Sequence, residues 1–395
     1  MTDRSDRTRL IAGATRRASG PGLGRRPVSP PVERASTLLN DSPAAMRDGS
    51  IGPTYGIEDL SAGRALREAL AELEGARDVW LVPSGLAAVT VPLTALLQPG
   101  DQVVTTDALY GPTRRFLHRH LRPRGIETVF HPAEAGTDAI LSALTDRTRV
   151  LLIESPGSLT FDMQDVPALA AACRERGVKT IMDNTWGAGL AFKPLAHGVD
   201  VSVQALTKYA GGHSDLLMGA IAVADDAVGK PIFETLEDYG WRVTSDDAWL
   251  ALRGLRTLPL RYAEQARSAR IVADWLLTQP EVADVIWPAL PDSPAHPLWS
   301  RDYTGAASLF GVVMKGGDTA SAHALMSALS LFGLGYSWGG FESLITHETA
   351  QLAMRGSPPK LAGELLRLHV GLEDPADLIA DLEVGLGAWR SATGA

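Results

Sequence analysis

Val199-Asp200-Val201-Ser202-Val203-Gln204-Ala205-Leu206-Thr207-Lys208-Tyr209, followed by Gly211-Gly212-His213-Ser214-Asp215, is the stretch on which the fold turns. Val199 to Val203 reads as a buried strand rich in β-branched residues, and Thr207-Lys208 follow it directly. The two glycines then let the backbone approach another group closely. A lysine in this position is carried to the rim of a sheet rather than to a helix face.

The same grammar repeats upstream. Apolar runs at Val79–Val82, Val103-Val104, Thr128–Phe130, Val150–Ile153 and Thr180–Asp183 read as strands, and Ala220–Val223 adds one downstream. Between them lie helical patterns: Leu66, Leu70 and Leu73 closed by Gly75, then Leu86–Leu97 with Pro92 as a kink, a helix opened by Tyr110-Gly111-Pro112-Thr113, and Pro167–Arg176. Continuous apolar strands alternating with helices predict an α/β domain with a largely parallel sheet covered on both faces. From about residue 246 the pattern changes. A helical stretch, 246–277, with a break near Pro259, leads into a Pro-rich loop at 288–297 and strands at 308–314 and 368–371, which predicts a smaller α+β domain. The expected division is an N-terminal arm, 1–49, a cofactor domain, 50–245, and a C-terminal domain, 246–395.

Composition narrows the chemistry. Six lysines (Lys179, Lys193, Lys208, Lys230, Lys315, Lys360) stand against 31 arginines, and Cys173 is the single cysteine. One cysteine excludes an internal disulfide and a multi-thiolate zinc site; no histidine spacing suggests a metal, and none is expected. The formal charge of −9 argues against nucleic acid as the main partner. Residues 1–34 nonetheless hold eight arginines against three carboxylates. This arm reads as a solvated tail or as one draped over an acidic neighbouring subunit. Arg16-Arg17 and Arg25-Arg26 lack the apolar stretch of an export signal, and no run is long enough to span a membrane, so a cytoplasmic location and no membrane partner are expected.

Ligands of such sheets bind beyond the carboxyl ends of the strands. Ser84-Gly85, Tyr110, Glu154-Ser155, Asp183 and Thr207-Lys208 all follow strands, so one rim collects them. Together they suit pyridoxal 5'-phosphate, which needs a lysine amine for its aldehyde, a carboxylate opposite the pyridinium nitrogen, a phosphate cradle and a stacking ring. Taken singly, each has a plainer reading: a solvated lysine, a capping aspartate, a turn, a packed tyrosine.

Longer motifs carry a resemblance. The Lys208 segment, Asp183-Asn184-Thr185-Trp186, Tyr110-Gly111-Pro112-Thr113, Glu154-Ser155-Pro156-Gly157-Ser158, Tyr336-Ser337-Trp338-Gly339-Gly340-Phe341-Glu342-Ser343-Leu344 and Arg367-Leu368-His369-Val370-Gly371-Leu372-Glu373-Asp374 occur in order. Pro31 to Thr37 also fits. Over roughly residues 28 to 390 the chain resembles the cystathionine β-lyase branch of the Cys/Met-metabolism family of pyridoxal-phosphate enzymes. The resemblance implies the aspartate-aminotransferase-like (type I) fold and a homotetramer whose active sites are shared across each dimer. It also implies carbon–sulfur β-elimination from a sulfur amino acid, in transsulfuration towards methionine. Lys208 would bond the cofactor and, with Tyr110 and Tyr55, move protons. Asp183 would meet the ring nitrogen, Tyr110 would stack, and Gly85, Leu86 and Thr207 would hold the phosphate. Arg367 would clamp the substrate carboxylate, Ser337 and Trp338 would shape that end, and Tyr55 would arrive from the partner subunit.

One departure, two branch markers and two alternatives accompany this. In Tyr55-Gly56-Ile57-Glu58-Asp59, Ile57 stands where the family has an arginine for the neighbour's cofactor phosphate. An apolar side chain cannot neutralise a phosphate, and Arg64 is the substitute to look for. Pro112 stands where methionine γ-lyases often carry cysteine, and Ala205 where γ-acting members tend to carry serine. Both favour β-elimination but leave cysteine S-conjugates, cysteine itself and γ-chemistry open. Gly335-Tyr336-Ser337-Trp338-Gly339 also fits a serine-hydrolase elbow, with Glu342 and His347 or Glu364 and His369 as partners. A non-catalytic protein on the same scaffold is the other alternative.

Overall fold

The computed structural model of the chain describes residues 5–12, 27–48, 50 and 52–394. Seven strands, β1 (Asp78–Val82), β2 (Gln102–Thr106), β3 (Glu127–His131), β4 (Thr148–Glu154), β5 (Lys179–Asp183), β6 (Val201–Ala205) and β7 (Gly219–Val223), form one sheet in the order β1-β7-β6-β5-β4-β2-β3. Only β7 runs antiparallel, against both β1 and β6. All other neighbours are parallel.

The apolar runs are long because both faces of the sheet are covered. Successive side chains of a strand point to opposite faces. In β4, Val150 and Leu152 join a core with Ala88, Val91 and Leu93 of the helix Gly85–Leu96, while Leu151 and Ile153 join a larger core on the other face. That second core includes Leu66, Leu70 and Leu73 of the helix Ser61–Glu74, which ends on Gly75 in the left-handed region (φ 68°). Each fully buried aliphatic side chain of this kind stabilises by roughly 1.5–3 kcal/mol.

Five more strands, β8 (Val282–Ile286), β9 (Leu309–Met314), β10 (Gly333–Leu334), β11 (Leu344–His347) and β12 (Leu365–His369), make a second sheet in the order β10-β11-β12-β9-β8. It is antiparallel except for the β10–β11 pair. Polar contacts fasten it to the first: Tyr303 Oη donates to the Ser155 carbonyl at 2.6 Å, and Tyr209 Oη lies 3.2 Å from Ser308 Oγ.

Some expected boundaries move. The strand placed at 199–203 occupies 201–205 instead, because Gly198 turns with φ 90° and Asp200 is used as a bracket. Its carboxylate accepts from Thr180 N at 2.8 Å and pairs with Lys179 at 2.9 Å. The last strand runs 365–369, so Arg367 sits in its middle. The long helical stretch is two helices, Ser245–Leu255 and Leu258–Leu276. Pro259 lies in the first turn of the second, where its missing N–H costs nothing. Part of the N-terminal arm is not a solvated tail: Asp6–Ala12 is helical, Leu10 is buried in the larger core, and Asp6 pairs with Lys193 at 3.0 Å. Arg16, Arg17, Arg25 and Arg26 lie outside the described residues.

Candidate active site

Strand register brings the rim together. Glu154 at the end of β4 lies opposite Asp183 at the end of β5, and Asp183 opposite Val203 of β6. Lys208 follows β6 by three residues. These residues line a cavity of about 1040 Å³ with Gly85, Leu86, Tyr110, Thr207, Ser337, Trp338 and Arg367, so segments from both sheets build one site.

Lys208 Nζ donates to Ser337 Oγ at 2.6 Å and lies 5.3 Å from the centre of the Trp338 ring. Burial, helped by the Arg367 guanidinium and opposed by Asp183, pushes its amine down to about 8. An ordinary lysine amine titrates near ~10.4, so at pH 8 roughly half of the Lys208 amine is neutral against under roughly 1% of an ordinary one. In the cofactor-free protein, labelling of Lys208 by an amine-acylating reagent should therefore rise with pH through a midpoint near 8 and level off by about pH 9.5, mapped by mass spectrometry. A profile still climbing at pH 10 would contradict this.

Asp183 Oδ1 accepts from Thr185 N at 3.0 Å and Thr185 Oγ1 at 2.6 Å, and no ion pair neutralises it among the described residues. Burial pushes its carboxyl up. Glu154, its neighbour, accepts from Tyr110 N at 2.7 Å and Ser158 Oγ at 2.5 Å. Burial first, then the neighbouring Asp183, raises it to about 8, because two adjacent buried carboxyl groups oppose each other's ionisation. Sequence reasoning placed Glu154 on the rim without assigning it work; its strand-end position was the available signal.

Tyr110 begins the helix Gly111–Phe116, with its ring at the cavity. Arg367 lies 3.4 Å from Glu348, which is itself 2% exposed and accepts from Thr346 Oγ1 at 2.7 Å. The guanidinium is thus braced from behind while lining the cavity in front. Ser84 caps the helix Gly85–Leu96 by accepting from Ala87 N at 3.1 Å. The helix start abuts β6 so tightly that a Cβ on Gly85 would fall 2.4 Å from Ala205 Cβ. The first N–H groups of a helix have no partner within it, and here they belong to Gly85 and Leu86 beside the cavity. Thr207 Oγ1 reaches the cavity while exchanging hydrogen bonds with Met218 N (3.0 Å) and O (3.2 Å).

Behind the site runs a chain of side chains. Tyr209 Oη meets Ser308, Ser308 Oγ lies 3.1 Å from His369 Nδ1, and His369 Nε2 accepts from Gly339 N at 3.0 Å. Burial pushes His369 down to about 3, so it stays neutral as a packed acceptor. Gly339 adopts φ 81°, and a Cβ there would lie 2.6 Å from Tyr209 N.

Tyr55 and Ile57 are exposed and do not line the cavity of their own chain. Nor does Arg64. Glu58 is turned onto Thr54 N (2.9 Å) and Oγ1 (2.7 Å), and Asp59 pairs with Arg67 at 3.2 Å, so both carboxylates after Ile57 are engaged locally. The hydrolase elbow is not assembled. Ser337 (φ 95°) lies between β10 and β11 with no helix after it, its hydroxyl faces Lys208, and His347 pairs with Glu364 at 2.5 Å. Among the described residues no cluster of His, Cys, Asp or Glu could hold a metal ion, and no helix is long and apolar enough to cross a membrane.

Comparison with known proteins decides the family. The profile described as Cys/Met metabolism PLP-dependent enzyme matches residues 15–387. The chain belongs to this family. Within it, the chain is 42% identical to a putative cystathionine beta-lyase of Rhizobium johnstonii, over 91% of each chain. It is 38% identical to the cystathionine beta-lyase MetC of Escherichia coli, over 98% of this chain and 99% of that one. The crystal structure of metB from Corynebacterium glutamicum superposes with a TM-score of 0.90 at 27% identity, covering 98% of each chain.

The family's cofactor, pyridoxal phosphate, fits the residues present. An unpaired carboxylate, Asp183, faces the cavity, as a pyridinium N–H requires. A buried amine is lowered towards neutrality, and a close helix start that only glycine permits offers N–H groups to an anion.

Proposed function

We propose that the chain is a carbon–sulfur β-lyase that cleaves cystathionine to homocysteine, pyruvate and ammonia. The observation that carries this is the Lys208 amine, lowered to about 8, in one cavity with Asp183 and Arg367. Bound pyridoxal phosphate supplies an electron sink for the charge released at the substrate Cα. Lys208 would anchor it, Asp183 would keep its ring nitrogen protonated, Tyr110 would stack on the ring, and Gly85, Leu86 and Thr207 would take the phosphate. Arg367 clamps the substrate carboxylate with a fork-shaped donor pair. Ser337 and Trp338 border that end and hold Lys208 in line. Released when the substrate amine takes its place, Lys208 would remove the Cα proton and, with Tyr110 and Tyr55, return a proton to the departing sulfur, and one water is consumed in forming pyruvate and ammonia.

Tyr55 belongs to this reading as a residue given to a neighbouring subunit, since it stands exposed outside its own cavity. A cytoplasmic homotetramer of paired dimers is the assembly proposed, with the chain divided into the arm 1–49, the cofactor domain 50–245 and the domain 246–395.

Incubation of the purified holoenzyme with cystathionine tests the reaction. Pyruvate and homocysteine are expected. The appearance of 2-oxobutyrate and cysteine means γ-elimination, and a D-amino acid without sulfur release means racemisation. The latter matters because an L-alanine/L-glutamate racemase of Wolbachia pipientis is 37% identical over 91% of this chain.

A further inference from the structure

The outer cavity carries free positive charge in a chain whose net charge is −9. Its lining includes Arg114, Arg115, His118, Arg119 and Arg355, of which the exposed Arg115, His118 and Arg119 form the lip. Three of these are committed. Arg114 pairs with Asp107 at 2.5 Å, His118 stacks on Phe130 at 5.4 Å, and Arg355 donates to Thr160 Oγ1 at 2.9 Å and to the Ser158 carbonyl. Arg115 and Arg119 are exposed and make no ion pair or hydrogen bond among the described residues, yet both border the cavity. The only carboxylates in the lining are Glu154 and Asp183, at the strand ends in the interior. Within this chain's own lining, no exposed carboxylate therefore offers a negative charge to an incoming cation.

We infer that Arg115 and Arg119 form a subsite for the distal end of the substrate, selecting cysteine S-conjugates that end in a carboxylate over those that end in an amine. The inference rests on the β-lyase reading and specifies its substrate class. The geometry separates the two ends of such a molecule. Arg367 is held deep in the second sheet for the α-carboxylate, while the lip arginines wait outside for a second anion. Cystathionine has a carboxylate at each end and can meet both, although its distal carboxylate shares a carbon with an ammonium that the lip arginines disfavour. A cleft with low-dielectric walls focuses the field of such charges, so the selectivity should exceed that of the same arginines on an open surface.

The test compares kcat/KM of the holoenzyme for S-(2-carboxyethyl)-L-cysteine and S-(2-aminoethyl)-L-cysteine. The carboxylate conjugate is expected to be preferred by about tenfold or more at low ionic strength, and the ratio should shrink as salt screens the mouth. The double variant Arg115→Gln/Arg119→Gln should bring the ratio close to one, and Arg115→Glu should push it towards the amine. Equal or reversed ratios in the unmodified enzyme overturn the subsite while leaving the β-lyase reading in place. Cleavage of neither conjugate nor of cystathionine overturns both. Looser cofactor retention in the double variant with an unchanged ratio assigns the arginines to the cofactor phosphate and overturns the inference.

Discussion

Lys208→Ala should lower kcat by at least about 10⁴-fold, because in the proposed reaction it removes both the acid–base group and the covalent anchor at once. The visible absorption of bound pyridoxal phosphate should vanish with it. The side chain lines a cavity and, among the described residues, hydrogen-bonds through Nζ to Ser337 Oγ alone, so its loss leaves no buried group stranded in the core. Unchanged circular dichroism should accompany the loss of turnover. Partial recovery with a small added amine would locate the defect in proton transfer. Turnover retained without added amine would remove Lys208 from the centre of the reaction.

Arg367→Gln is expected to cut kcat/KM by about 10²–10³-fold, chiefly through KM, in line with the loss of one partner of a buried charge pair. Two effects add. The substrate carboxylate loses its fork, and Glu348, buried and 3.4 Å from the guanidinium, loses its cation. Arg367→Lys separates them, since it keeps the charge for Glu348 but not the paired geometry. An intermediate KM for the lysine variant supports the clamp, whereas a KM equal to wild type in both variants rules it out.

Most of the rim was legible in the sequence because strand ends are marked twice, by the end of an apolar run and by the polar residues just after it. Gly85, Tyr110, Asp183 and Lys208 all meet at the cavity for that reason. Arg367 was placed by motif rather than by periodicity, and its strand begins earlier than the apolar pattern suggested. What the sequence could not show was contact across distance. The bond from Ser337 to Lys208 joins residues 129 positions apart, and the brace from Glu348 depends on the pairing of β11 with β12. The packing of Leu10 was hidden for a similar reason: a short helix beside an arginine-rich stretch carries too few apolar positions to declare its partner.

The chain of groups from Tyr209 through Ser308 and His369 to Gly339 has a bearing on how such an enzyme can diversify. It locks the loop that presents Ser337 and Trp338 to the segment that presents Lys208. Substitutions at Ser308, Gly339 or His369 would therefore disturb the reacting amine without touching it, and mutational libraries directed there should return mostly inactive clones. Arg115 and Arg119, exposed and without a side-chain hydrogen bond or ion pair among the described residues, can be exchanged at little cost to folding. New substrate preferences should arise at the lip, leaving the interior unaltered.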